Sequence, residues 1–94
     1  MERQTTTMRL TDKEFDILDE VYFVTSWQDI QASMGCDADW LNDGLASLLR
    51  KNYVAQFAYS TEHHDFLRQT KPDLEKLEPY HYLATKEGLL AHNL

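Results

Sequence analysis

The side chains best suited to chemistry sit in the C-terminal half, where His63, His64 and Asp65 run in succession and His81 follows. Imidazoles and a carboxylate are zinc ligands, but a tetrahedral site needs three or four of them converging. Adjacent histidines in a polar loop seldom aim at one point, and neither a cysteine pair nor an HExxH spacing accompanies them. His63, His64 and His81 are therefore weak metal candidates, and no cofactor is expected. Cys36 precedes a helix whose dipole favours thiolate, yet Asp37 and Asp39 beside it oppose that charge, so a structural cysteine is expected. A chain with only 3 Gly offers no phosphate-cradling loop and no nucleophile elbow. A non-catalytic protein is expected.

The charge is more informative. Sixteen acidic residues against 9 basic give a net −7 over 94 residues, which disfavours a general affinity for nucleic acid or anionic lipid. The single cysteine fits a reducing compartment, residues 1–7 contain no apolar leader, and no run approaches the ~20 apolar residues of a membrane span. A cytoplasmic protein without membrane contact is expected.

These residues must be positioned by one small domain covering 1–94. Residues 1–9 read as a flexible arm, or a short strand around Thr5 to Met8. Thr11-Asp-Lys-Glu14 is a capping box that opens a helix to about Val24. Leu10, Phe15, Ile17, Leu18, Val21, Tyr22 and Val24 form its wide apolar arc, and Asp12, Asp16, Asp19 and Glu20 crowd the rest. Ser26 caps a second helix through Met34, with Trp27 and Ile30 inward and Gly35 as terminator. Asp37 caps a third helix, Ala38 to Lys51, with the apolar stripe Leu41, Leu45, Leu48 and Leu49 and with Asn52 as a left-handed stop. Tyr53 to Tyr59 and Tyr80 to Ala84 read as strands. The polar connection over 60–79 has room for a helical turn at Asp73 to Leu77, and Thr85 caps a closing helix. The expected fold is mainly α with a small β-hairpin (α+β), in the order helix, helix, helix, strand, connection, strand, helix.

Three residue groups carry a family likeness over about residues 10–92. The third helix leads into a strand through Leu45-Ala-Ser-Leu-Leu-Arg-Lys-Asn-Tyr-Val54. The returning strand and last helix read Tyr82-Leu-Ala-Thr-Lys-Glu-Gly88-Leu, and the opening helix is followed by a short capped one. The chain thereby resembles the winged helix-turn-helix superfamily of small bacterial regulators, in which the third helix enters the DNA major groove and the hairpin, or wing, tracks the backbone. Asn52 stands where the family more often has Gly, and the long wing over 60–79 exceeds the usual hairpin loop.

The DNA-binding role implied by that resemblance meets an obstacle in the residues. Phosphate neutralisation needs Lys and Arg, and base reading needs Arg, Asn or Gln. The outward face of the third helix presents Asp39, Asp43, Ala46, Ser47 and Arg50, with Trp40 on its flank. Across the wing, Arg68, Lys71 and Lys76 face Glu62, Asp65, Asp73, Glu75 and Glu78. The expected function is accordingly a protein-interaction module, a small acidic adaptor or regulator engaging another, basic protein. The alternative is a dimeric DNA-binding regulator that makes unusual groove contacts or uses the arm residues Arg3 and Arg9. Partner-binding candidates are Asp39, Trp40, Asp43, Ser47, Arg50, Phe23, Asp16 and Glu20. Trp40 and Phe23 read first as core residues and second as interface anchors. A homodimer is expected from the apolar arc of helix one and the abundant aromatics.

Overall fold

Thr11 starts the first helix as the capping box requires. In the computed structural model, which describes residues 10–93, its hydroxyl accepts the Glu14 N–H at 3.1 Å and the Glu14 carboxylate accepts the Thr11 N–H at 2.9 Å. The arm over 1–9, with Arg3, Arg9 and the strand expected near Thr5, lies outside the described residues. From there the elements run α1 (Asp12–Asp19), β1 (Thr25–Ser26), α2 (Trp27–Met34), α3 (Ala38–Arg50), β2 (Val54–Ser60), β3 (Asp65–Arg68), β4 (His81–Ala84) and α4 (Lys86–His92). They form an α+β domain whose strands make one antiparallel sheet in the order β1-β4-β2-β3.

The local signals for α2 and for the end of α3 act as expected, whereas Asp37 occupies the N-cap of α3 without making a side-chain capping hydrogen bond. The Ser26 hydroxyl accepts the Asp29 N–H at 3.0 Å, and Gly35 ends α2 with φ 62°, a conformation open to glycine at little cost. Asn52 takes φ 61° after α3, as an αL stop should. Leu41, Leu45, Leu48 and Leu49 join Ile17, Leu18, Val21, Trp27, Ile30, Val54 and Tyr82 in one buried core. Burying a large aliphatic side chain is worth about 1.5–3 kcal/mol, so this stripe dominates what holds α3 in place.

Helix α1 ends at Asp19, not at Val24. The residues beyond it serve the sheet. Val21 is fully buried and its carbonyl accepts the Ala84 N–H at 2.8 Å, while Thr25 pairs with Tyr82. The Thr25 hydroxyl turns back to the carbonyls of Phe23 (2.7 Å) and Glu20 (3.2 Å), closing the corner. Phe23 is left 82% exposed, so the core role first read for it is wrong.

The connection over 60–79 is built, and it contains a strand that local sequence did not announce. A turn over residues 61–64, with His64 at φ 53°, folds β3 back onto β2. The rest of the connection is held by two buried polar side chains. Gln56 Nε2 donates to Asp73 O at 2.9 Å and the Asp73 N–H donates to Gln56 Oε1 at 2.7 Å, mimicking a strand pair. The Tyr82 hydroxyl donates to Leu77 O at 2.6 Å. Burial pushes the Tyr82 phenol well above its ordinary range, with the neighbouring Tyr80 and Asp73 acting the same way and Gln56 against it, so it stays a donor. No helix forms at Asp73 to Leu77. The Asp73 carboxylate accepts the N–H groups of Glu75 and Lys76 instead, a turn that competes with helix. Tyr82→Phe should cost about 1–2 kcal/mol by urea unfolding, because Leu77 O loses its short donor inside the core and keeps only the long bond from the Tyr80 N–H at 3.4 Å. It should also raise amide exchange over 73–78, and a variant with wild-type stability and protection would contradict this.

Candidate interaction surface

The seam between α1 and α3 is organised around a buried carboxylate. Glu14 is 1% exposed and accepts from Thr11 N–H, from Ser47 Oγ at 2.5 Å and from Lys51 Nζ at 2.8 Å. Burial by itself would raise its pKa. The hydrogen bonds from Lys51, Ser47 and Thr11, with the Lys51 charge, outweigh burial and hold Glu14 below its ordinary value. Close approach of the two helices depends on Gly44, where an added Cβ would fall 2.3 Å from Ile17 Cδ1.

That seam takes up part of the face expected to point outward. Ser47 is half-buried and turned to Glu14, and Ala46 is buried. Asp39 and Arg50 are exposed. Asp43 is 79% exposed, yet its carboxylate meets Lys13 Nζ of α1 at 2.9 Å. The same ammonium stands 4.9 Å from the ring centroid of Trp40, which is half-buried and packs against the core. Trp40 thus serves the α1–α3 seam with one face and remains reachable at its edge. On the opposite flank of α3, Asn42 accepts from Trp27 Nε1 at 2.8 Å and lines a shallow groove with residues 75–79. Glu75 and Glu78 in that groove, offset in part by Lys76, leave it net acidic beside the helix. A wheel drawn for α3 alone could not show which of its residues would meet α1.

The exposed acids of α1 are Asp12, Asp16 and Asp19. Glu20 differs from them. It is half-buried and accepts from Ser33 Oγ of α2 at 2.7 Å, tying the two helices together. Next to this stripe, His92 of α4 stacks on Phe15 at 4.1 Å and meets Tyr22 edge-on at 5.7 Å. Its Nδ1 lies 3.0 Å from the Tyr22 hydroxyl. Its Nε2 lies 2.7 Å from Asp19 Oδ1 but off the line of a good hydrogen bond. Nothing in the sequence signalled His92, because all of its partners lie on distant elements.

The histidines do not converge. His63 Nδ1 sits 3.0 Å from Ser60 Oγ, His64 is exposed in the turn, and the His81 ring packs 4.7 Å from Phe66 on the sheet. Among the described residues no group of three His, Cys, Asp or Glu side chains is placed to hold a metal ion. Cys36 is half-buried against the core. Among the described residues no helix is long and apolar enough to cross a membrane. Comparisons with protein-family models, with curated proteins and with solved structures find no match for this chain.

Proposed function

We propose that this chain is a winged helix-turn-helix domain working as a non-catalytic protein-interaction module whose acidic face, centred on Asp39 and Asp43 of α3, engages a basic partner. The fold reading draws support from the α2–turn–α3 pair joined by Gly35-Cys36-Asp37 and followed by a β2–β3 hairpin. It also draws on β1, which lies between α1 and α2 in sequence and pairs with β4.

The functional reading rests on one observation. Two lysines of the α1–α3 seam are bound to acids of their own chain, Lys13 to Asp43 and Lys51 to Glu14. A helix that reads DNA must present cations to phosphate. Here Lys51 would have to abandon a buried carboxylate to do so, at a cost of several kcal/mol. The face that remains carries Asp39 and Asp43, with Glu75, Lys76 and Glu78 on its flank and Arg50 at its far end.

A salt titration tests the proposal with two probes, a mixed-sequence DNA duplex and a lysine- and arginine-rich peptide. The peptide should bind, and the Asp39→Asn, Asp43→Asn double variant should weaken it at least about tenfold, about 1.4 kcal/mol. The duplex should show no binding at low salt. Micromolar duplex binding that falls roughly a thousandfold between 50 and 200 mM salt would instead establish the DNA-binding alternative.

A further inference from the structure

The corner after α1 puts three consecutive large apolar residues into solvent. Tyr22, Phe23 and Val24 are all exposed, Phe23 to 82%. Phe15 extends the patch, because its ring and that of Tyr22 both contact His92. Single exposed apolar side chains are ordinary, but a contiguous run of them marks a surface with a partner. The corner is also held in place. The Thr25 hydroxyl bonds Phe23 O at 2.7 Å and Glu20 O at 3.2 Å, and the Ala84 N–H donates to Val21 O at 2.8 Å. A partner would therefore not have to order the backbone that presents Phe23.

The charge beside this patch works against the helix that carries it. Asp16 and Asp19 occupy the last turn of α1, Glu20 caps it, and no basic residue accompanies them. The carbonyl end of a helix already carries partial negative charge, so acids are unfavourable there and a cation is favourable by about 0.3–1 kcal/mol. Glu20 gives its carboxylate to Ser33 Oγ. Asp19 has the His92 imidazole beside it, with Nε2 2.7 Å from Oδ1. Asp16 is exposed and has no ion pair among the described residues.

We propose that this corner docks a basic amphipathic segment of another protein, with its apolar side chains on Phe23 and Tyr22 and its arginines or lysines on Asp16 and Asp19. The two halves of the surface ask for the two halves of such a segment. A guanidinium at the end of α1 meets the carboxylates and the helix dipole together, and the open ring of Phe23 adds a cation–π surface. Other occupants fail on charge. A twofold-related second copy would bring Asp16 and Asp19 against the same acids. Nucleic acid and anionic lipid carry the sign that these carboxylates repel. The corner belongs to a different element from Asp39 and Asp43, and the inference does not rest on what α3 engages.

Binding of labelled peptides tests it on a chain carrying Asp39→Asn and Asp43→Asn, whose α3 face no longer attracts cations, so failure here leaves the reading of α3 untouched. An amphipathic peptide of leucine and arginine should bind. A peptide of glycine and arginine and one of leucine and glutamate should each bind at least about tenfold more weakly, about 1.4 kcal/mol, because each lacks half of the chemistry. Phe23→Ser should weaken the leucine–arginine peptide by a similar factor. Asp16→Asn with Asp19→Asn should weaken it and flatten its salt dependence. Phe23 stands in solvent, so its replacement leaves the core untouched, and circular dichroism checks this. Amide shift changes on titration should centre on residues 16–24. No binding of the leucine–arginine peptide at low salt, equal binding of the three peptides, or an affinity unmoved by Phe23→Ser would each overturn the proposal. So would shift changes centred elsewhere, such as on the sheet around Phe66.

Discussion

Replacing Gly88 by Ala should destabilise the domain by on the order of 3 kcal/mol, although alanine is the better helix former. Gly88 lies in α4 and is buried against the corner that follows α3. A Cβ there would fall 2.0 Å from Tyr53 O and 2.9 Å from Tyr53 C. These are backbone atoms, and that carbonyl already accepts the Thr85 N–H at 3.0 Å. Thr85 Oγ1 in turn donates to Asn52 O at 2.7 Å and accepts the Gly88 N–H at 3.0 Å. The first turn of α4 is thus bonded twice to the 52–53 corner through Thr85, which resists the retreat a Cβ would require. Alanine gains about 1 kcal/mol of helix propensity, which the overlap exceeds. Thermal unfolding should show a midpoint lowered by at least roughly 10 °C. Gly35→Ala is the contrasting substitution. Its Cβ would meet nothing within 4 Å, so only the left-handed φ is penalised, at about 1–2 kcal/mol. If Gly88→Ala proved the milder change, the close approach of α4 to Tyr53 would be wrong.

The same corner shows which parts of the fold could be read from the chain. As caps and stops, Ser26, Gly35, Asn52 and Thr85 depend on neighbours within four residues, and each ends or begins a helix where its chemistry says it should, although Thr85 also reaches Asn52 O across 33 residues. The leucine stripe of α3 is likewise a property of one helix. What local pattern missed was decided at long range. The apolar residues from Val21 to Val24 continue a helical arc, yet the edge of β4 recruits Val21 O and Thr25, and the helix stops. The β3 segment looks like polar loop with two apolar residues until β2 pairs with it. The candidate surface divides in the same way. The exposure of Asp39 and Arg50 follows from the wheel of α3. The withdrawal of Ser47 and the capture of Asp43 follow from α1, which Gly44 admits to close range. Glu14 was legible only as half of a capping box, because its other partners stand 33 and 37 residues away.

Glu14 carries the second large prediction. Glu14→Ala should cost about 3 kcal/mol at neutral pH. It removes half of a capping box, worth about 1 kcal/mol, and the acceptor for Ser47 and Lys51. The loss of the ion pair is smaller than for a fully buried pair, since Lys51 keeps a quarter of its side chain in water and can turn outward. Glu14→Gln keeps the shape and an acceptor, so it isolates the charge and should cost about half as much. The folded carboxyl titrates below its ordinary value of 4.5, so the folded state holds its proton less tightly than the unfolded chain does. The charge-dependent stability is therefore complete above that ordinary value, and it is lost as pH falls through the lower folded value. Urea unfolding should show the gap between wild type and Glu14→Gln widest at pH 7 and shrinking steadily below pH 4.5. A gap that stayed constant into acid would mean that Glu14 acts through packing and not through its charge. Asp43, by contrast, is 79% exposed, and its pair with Lys13 is worth under about 1 kcal/mol. Two carboxylates of one seam, one from α1 and one from α3, thus divide the work. Substituting Glu14 should weaken the fold, whereas substituting Asp43 should leave the fold standing and change only what the surface attracts.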